Sequence, residues 1–98
     1  IQKVTASLLS DHGSWIFMPD SIEVYCSEDG KDFTLKNTKR LNSTKEGDTT
    51  SLHFEEVTFP KDKAKFVKVV LKNIPSIPDW HDGKGTPPWL FIDEILIE

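Results

Sequence analysis

The stretch that decides the fold is Ser21-Ile22-Glu23-Val24-Tyr25-Cys26-Ser27, followed at once by Glu28-Asp29-Gly30-Lys31. Apolar and polar side chains alternate in the first seven residues, with Ile22, Val24 and Cys26 on one parity. Because successive side chains of a strand point to opposite faces, this pattern predicts a half-buried β-strand. An Asp-Gly pair tolerates positive φ and is typical of a tight hairpin. The stretch therefore predicts a strand that turns back on itself.

The period-two pattern recurs on both sides of this hairpin, and no stretch carries an apolar stripe at helical period. At Glu55-Glu56 the apolar parity switches, which predicts a β-bulge or a strand break. Strands joined by turns at this spacing predict an all-β fold, an antiparallel β-sandwich or barrel. Besides 21–27, strands are expected at residues 4–10, 33–40, 51–59, 64–74 and 89–97.

Length and composition exclude several classes of protein. Ninety-eight residues amount to a single domain. A net charge of −4 argues against nucleic-acid binding, and no apolar run approaches the ~20 residues of a membrane span. The single cysteine, Cys26, has no partner for an internal disulfide and is predicted to be a small buried hydrophobe. Because the chain begins at Ile1 instead of methionine, we expect it to be a piece of a longer protein.

Strand parity predicts which loops share an end of the molecule. If each strand crosses its sheet once and reverses, the connections 10–20, 41–50 and 75–88 lie together, opposite the turns 28–31 and 60–63. Binding residues are often carried by long loops on a rigid scaffold. The loop-rich end is therefore the predicted site. The candidate ligand-binding residues there are Trp80, His81, Asp82, His12 and Asp11.

The connection 75–88 is the most informative of these loops. Its four prolines restrict φ and hold side chains in place without a helix or strand. Trp80-His81-Asp82 combines an aromatic ring with polar groups, a pattern that suits stacking and hydrogen bonding to a sugar. The alternative is that Trp80 folds back and closes the end of the core. Trp89 is predicted to pack in the core. Trp15 is predicted to pack there too, or against a segment that is missing from the chain.

The sequence shows no catalytic or metal-binding pattern. Asp93 and Glu94 are adjacent on a predicted strand, so they are expected to point to opposite faces and not to flank one glycosidic bond. The three histidines have no metal-type spacing. Asp79 and Asp82 offer oxygen ligands that suit calcium, although aspartates in a loop are more often simply solvated. We therefore predict no catalytic residues, no metal site and no cofactor for this chain, which is not expected to be an enzyme.

Further motifs lie along the chain in a fixed order. The run 13–19 leads into Ile22-Glu23-Val24, and residues 27–33 follow as Ser-Glu-Asp-Gly-Lys-Asp-Phe. The stretch 27–33 resembles the Ser-x-Asp-Gly-Lys-x-Phe/Trp hairpin of the coagulation factor 5/8 type C domain, also called the discoidin or galactose-binding-like domain. Phe66-Val67-Lys68-Val69 resembles its penultimate strand. Residues 80–95 resemble its last loop and closing strand. That last pattern is most similar to C-terminal domains of secreted β-N-acetylhexosaminidases, the family 20 glycoside hydrolases, from gut-type Bacteroidetes.

The resemblance implies a β-sandwich jelly roll, N-terminally truncated, because a full domain of this family has roughly 130–150 residues. It implies a noncatalytic carbohydrate-binding accessory domain from the C-terminus of a secreted glycoside hydrolase, with a periplasmic, outer-membrane-associated or extracellular location. The alternative is a structural domain that packs on and stabilises the catalytic domain without binding sugar. The expected partners are a glycan and that catalytic domain, and calcium is possible in the full domain. We also expect self-association through a free edge beside residues 1–10.

Overall fold

The computed structural model describes residues 1–11, 14–41, 51–78 and 80–98. These residues form two antiparallel three-stranded sheets, with strand orders β4-β1-β6 and β3-β2-β5. Together they make the all-β sandwich that the alternating pattern predicts, and the described residues contain no α-helix. The strands are β1 (Lys3–Ser10), β2 (Ser21–Ser27), β3 (Thr34–Arg40), β4 (Ser51–Thr58), β5 (Phe66–Lys72) and β6 (Phe91–Ile97).

The core lies between the two central strands, β1 and β2. Each strand sends alternate apolar side chains inward, and all of these are buried. The inward residues are Val4, Ala6 and Leu8 from β1, and Ile22, Val24 and Cys26 from β2. Burial raises the pKa of the Cys26 thiol, which fits the predicted role of a small buried hydrophobe.

The predicted hairpin joins β2 to β3, and Asp29 organises its turn. The Asp29 carboxylate accepts hydrogen bonds from the backbone amides of Lys31 (2.8 Å) and Asp32 (2.9 Å), and from the Ser27 hydroxyl (2.9 Å). These bonds favour the ionised form and lower the pKa of Asp29. Gly30 has a φ of 77°, in the left-handed region that glycine adopts readily.

The predicted bulge at Glu55-Glu56 is wrong. The pairing of β4 with β1 runs without a shift through Ala6↔Glu55 and Thr5↔Glu56. Regular alternation therefore sends Val57 into the core and Phe54 onto the outer face of the sheet, where 66% of its surface is exposed. The apolar residues of β4 thus lie on the outer face in its first half and on the inner face in its second half, while the backbone pairing stays regular.

The prediction of a free edge beside residues 1–10 is also wrong. Strand β1 is central, because it pairs with β4 on one side and with β6 on the other. The outermost strands of the two sheets are β4, β6, β3 and β5. Within the described ranges, no helix is long and apolar enough to cross a membrane.

Candidate functional site

Two of the long connections meet at one end of the sandwich, as strand parity predicts. The backbones of Asp11 and Ile16 exchange two hydrogen bonds of 2.9 Å. The Trp89 amide donates to the Trp15 carbonyl (2.9 Å), and the Phe17 amide donates to the Trp89 carbonyl (3.2 Å). This short ladder ties the loop after β1 to the end of the connection 75–88. Residues 42–50 of the third connection lie outside the described residues.

The connection between β5 and β6 is compact and internally bonded. Ile77 is buried beneath it, and its amide donates to the Thr86 carbonyl (2.8 Å). The Thr86 hydroxyl donates to the Gly83 carbonyl (2.6 Å). A Cβ at Gly83 would lie 3.0 Å from side-chain atoms of both Ile77 and Trp15, so only glycine fits without movement. The loop thus presents residues 80–82 from a packed base, as its prolines led us to expect.

Trp80 and His81 belong to an aromatic cluster built around Phe17, which is fully buried. The Phe17 ring lies 6.2 Å from Trp80 and 5.3 Å from His81, measured between ring centroids. Trp80 is half-buried. Its contact with Phe17 is the one that closing the core requires, while its exposed part leaves surface for a ligand. The two roles predicted for Trp80, stacking on a ligand and closing the end of the core, both stay predictions.

The orientation of His81 is defined by the loop itself. Its Nδ1 accepts a hydrogen bond from the Gly83 amide (2.9 Å). In the neutral ring the proton therefore lies on Nε2, which makes Nε2 the donor. The Trp15 ring meets His81 edge-on at 6.0 Å between centroids. The histidine is thus held between two tryptophans and the glycine turn.

Trp89 and Trp15 are not core residues, so the prediction of core packing is wrong for both. That Trp15 packs against a missing segment stays a prediction. Trp89 is 70% exposed and Trp15 is 39% exposed. Strand β6 begins only at Phe91, so Trp89 belongs to the preceding loop. The Pro87-Pro88 pair just before Trp89 indicates this in the sequence, because proline is disfavoured within a sheet. Trp15 has a φ of 62°, a left-handed conformation that costs a non-glycine residue about 1–2 kcal/mol. Such strain often accompanies functional sites.

Two other predicted site residues, Asp82 and Asp11, lie beside this cluster. Asp82 is exposed, and the half-buried Asp11 accepts a hydrogen bond from the Ser14 hydroxyl (3.0 Å). His12 and Asp79 lie outside the described residues. We use the name loop-end surface for the residues Asp11, Trp15, Trp80, His81, Asp82 and Trp89.

A cleft of about 410 Å³ lies at the opposite end of the sandwich, beside the turns 28–31 and 60–63. Two of the carboxylates that line it already have partners. The turn amides donate to Asp29, and Lys36 forms an ion pair with Asp62 at 2.7 Å. Both interactions lower the pKa of the aspartate concerned. Among the described residues, no group of three or more His, Cys, Asp or Glu could hold a metal ion. A calcium site in the full domain stays a prediction.

The pair Asp93 and Glu94 does not follow regular alternation. The pairing of β1 with β6 shifts here, from Ser7↔Glu94 to Leu8↔Ile92, so that Asp93 is the extra residue of a bulge. The Ser7 hydroxyl donates to the Asp93 carboxylate at 3.5 Å. The expected placement of the two carboxylates on opposite faces is therefore wrong.

No family model matches the chain, and no curated protein matches it. The similarity to discoidin domains and to hexosaminidase C-terminal domains stays a prediction from the motifs.

Proposed function

We propose that this chain is a noncatalytic carbohydrate-binding domain that binds glycan on its loop-end surface. The observation that carries the proposal is the exposure of Trp89 (70%) and Trp15 (39%), which adjoin each other through a backbone hydrogen bond. Large aromatic side chains are usually buried, so two exposed tryptophans on anchored loops need an explanation. Stacking against the apolar C–H face of a sugar supplies one.

Polar groups around the tryptophans match the hydroxyls of a sugar. The carboxylate of the exposed Asp82 can accept hydrogen bonds from hydroxyl groups. Because the loop is already bonded internally, little conformational entropy is lost when a ligand binds. The surface is thus suited to weak, specific binding of a sugar.

The resemblance to hexosaminidase C-terminal domains guides the choice of sugars and of parent enzyme. It makes N-acetylglucosamine and galactose the first sugars to test. It also proposes a secreted or periplasmic β-N-acetylhexosaminidase as the protein to which the domain belongs. In that setting the domain holds the enzyme on glycan while another domain performs the hydrolysis.

The test is an amide proton–nitrogen NMR titration of the chain with N-acetylglucosamine and with galactose. We expect shifts that cluster at residues 14–17 and 80–89, and Trp89→Ala should abolish them without unfolding the domain. Phe54→Ala is the matched control, because Phe54 is as exposed (66%) but lies on the outer face of the sheet. Shifts that persist in Trp89→Ala, or that are lost equally in Phe54→Ala, would contradict the proposal.

One observation favours a second function, that of a structural domain which packs on a catalytic domain. The outer face of the sheet β4-β1-β6 carries a strip of apolar side chains near the loop end. Cross-strand pairing joins Leu9 to both Leu52 and Phe91, with Phe54 beside them. Leu52, Phe54 and Phe91 are all exposed. Such a patch is typical of a surface that another domain covers.

The two functions differ in what removal of the domain does to the parent enzyme. The structural role predicts a lower unfolding temperature of the catalytic domain and unchanged binding to insoluble glycan. Phe54→Ser in the full enzyme should act in the same direction as the deletion, and Trp89→Ala should have no effect on this temperature. A loss of glycan binding at unchanged stability would instead support the carbohydrate-binding role.

A further inference from the structure

Polar interactions join the two sheets on one side of the sandwich and not on the other. On the side of β3 and β4, Lys39 forms an ion pair with Glu55 at 2.9 Å, and the Asn37 side chain donates to the Thr58 carbonyl at 2.7 Å. Both interactions join one sheet to the other. In the described part of the chain, no corresponding ion pair or side-chain hydrogen bond joins β5 to β6. We call this the open side.

The open side is lined by apolar side chains of both sheets. On β6, Ile92, Ile95 and Ile97 lie opposite the buried Leu8, Ala6 and Val4, so they face inward. They are nevertheless 38–49% exposed, because nothing described covers them beyond the edge of β6. On β5, Val67, Val69 and Leu71 face inward in the same way and are only partly buried. The core of the sandwich therefore continues to the surface here.

The backbone at this side is also unpaired. Strand β6 is the outermost strand of its sheet, and no described strand pairs with its second edge. An edge of this kind presents alternating N–H and C=O groups, and a long apolar edge strand is a template for another strand. A ligand that satisfies both the backbone groups and the period-two apolar row must itself be an extended polypeptide.

The charge of Glu94 on β6 favours some incoming strands over others as pairing partners for its free edge. Glu94 lies at the middle of β6 on its outer face, opposite Ser7, and no described residue forms an ion pair with it. Centred antiparallel pairing of β6 with the same strand of a second copy would place Glu94 against Glu94, and like charges directly opposite destabilise a sheet. A strand with a basic residue at that place complements it.

We propose that the free edge of β6 is an acceptor site for an added β-strand. The occupant is an extended segment of a partner protein that is apolar at alternate positions and basic opposite Glu94. Its apolar side chains cover Ile92, Ile95 and Ile97 and close the open side toward β5. This site is independent of the loop-end surface and of sugar binding.

The probe is an acetylated synthetic peptide of about eight residues, the length of an ordinary strand, with valine and lysine alternating. A peptide of the same composition with the valines and lysines in separate blocks controls for nonspecific charge attraction. We expect the alternating peptide to shift the amide NMR signals of β6 and to slow the hydrogen exchange of its edge amides. The blocked peptide should do neither.

Two pairs of measurements on variants make the test specific. Ile95→Gln should weaken binding about tenfold, since it removes an apolar contact from the open side. Leu96→Gln, on the opposite face of the same strand, should have little effect, and urea unfolding of both variants shows that each is folded. Glu94→Lys should reverse the preference, so that the variant binds a valine–glutamate peptide better than the valine–lysine peptide.

Three results would overturn the proposal. The first is equal binding of the alternating and blocked peptides, and the second is an absence of any shift in β6. The third is a dimer of the chain in sedimentation experiments that Ile95→Gln dissociates, because the occupant is then a second copy. The reversed preference of Glu94→Lys, with the expected difference between Ile95→Gln and Leu96→Gln, supports it.

Discussion

Gly83 is the residue at which the candidate site depends most on the absence of a side chain. A Cβ there would lie 3.0 Å from both Ile77 and Trp15, whereas a Cβ at Gly85 would meet nothing within 4 Å. Gly83 thus allows the connection 75–88 to pack against the strained Trp15. The same packing positions the neighbouring His81, whose Nδ1 accepts the Gly83 amide hydrogen bond.

We predict that Gly83→Ala displaces the Trp15 ring and destabilises the domain by about 1–3 kcal/mol through overpacking. Gly85→Ala is the control, because Gly85 has a φ of 81° and open space around it. It should cost about 1–2 kcal/mol from backbone strain and leave Trp15 in place. The measurements are urea unfolding and the NMR signal of the Trp15 indole N–H. An unchanged indole signal in Gly83→Ala would show that the packing described here is wrong.

A second prediction at this scale concerns pH. The ion pair with Lys36 lowers the pKa of Asp62 in the folded protein, by hydrogen bonding first and by charge second. Its contribution to stability is therefore complete above the unfolded pKa of about 3.9, and is lost as the pH falls through the lower folded value. Asp62→Asn should unfold at a lower temperature than the unmodified chain at pH 6, and this difference should vanish in strong acid. A constant difference at all pH values would contradict this origin.

At the scale of elements, the central strand β1 makes the largest contribution to the sheet β4-β1-β6 and to the core. It forms both ladders of its sheet and contributes three buried side chains to the core. The outermost strands of this sheet, by contrast, carry large apolar residues on exposed surfaces. The effect of an apolar substitution should therefore depend on the strand and face in which it lies.

Leu8 and Leu52 provide a matched comparison, because one is fully buried on β1 and the other is exposed on β4. Leu8→Ala should lower the free energy of unfolding by about 3 kcal/mol, through lost burial and the cavity that is left. Leu52→Ala should change it by less than about 0.5 kcal/mol. Denaturant unfolding measures both. Equal costs would mean that Leu52 is covered in solution, which would contradict the exposed outer face described here.

At the scale of the whole molecule, the two sheets share one core between β1 and β2. Because neither sheet buries its inner face without the other, we predict a single cooperative unfolding transition. Tryptophan fluorescence reports on the loop-end surface and far-UV circular dichroism on the sheets. Their urea transitions should coincide, with a slope of about 1–3 kcal/mol/M. Separate transitions would show that the loop end unfolds independently.

Local patterns in the sequence predicted the strands and the hairpin correctly. Alternation identified β2 and the other strands, and the Asp-Gly pair identified the hairpin, because both are local properties of the backbone. The burial of Trp89 and the bulge at Glu55-Glu56 were predicted wrongly for a common reason. Both predictions assumed that apolar side chains face a covered surface. In this sandwich the apolar side chains on the outer face and at the loop end are exposed.

The sequence by itself determined the class of fold, the hairpin, the strands and the meeting of two long loops at one end. These follow from period-two patterning and turn chemistry, which act over a few residues. Only the tertiary structure decided that β1 is central, that Trp15 and Trp89 are exposed, and that the side between β5 and β6 is open. Those features depend on which strands become neighbours. Pairing between residues distant in the chain depends on how the whole molecule packs. The alternation within one strand does not specify which strands will be its neighbours.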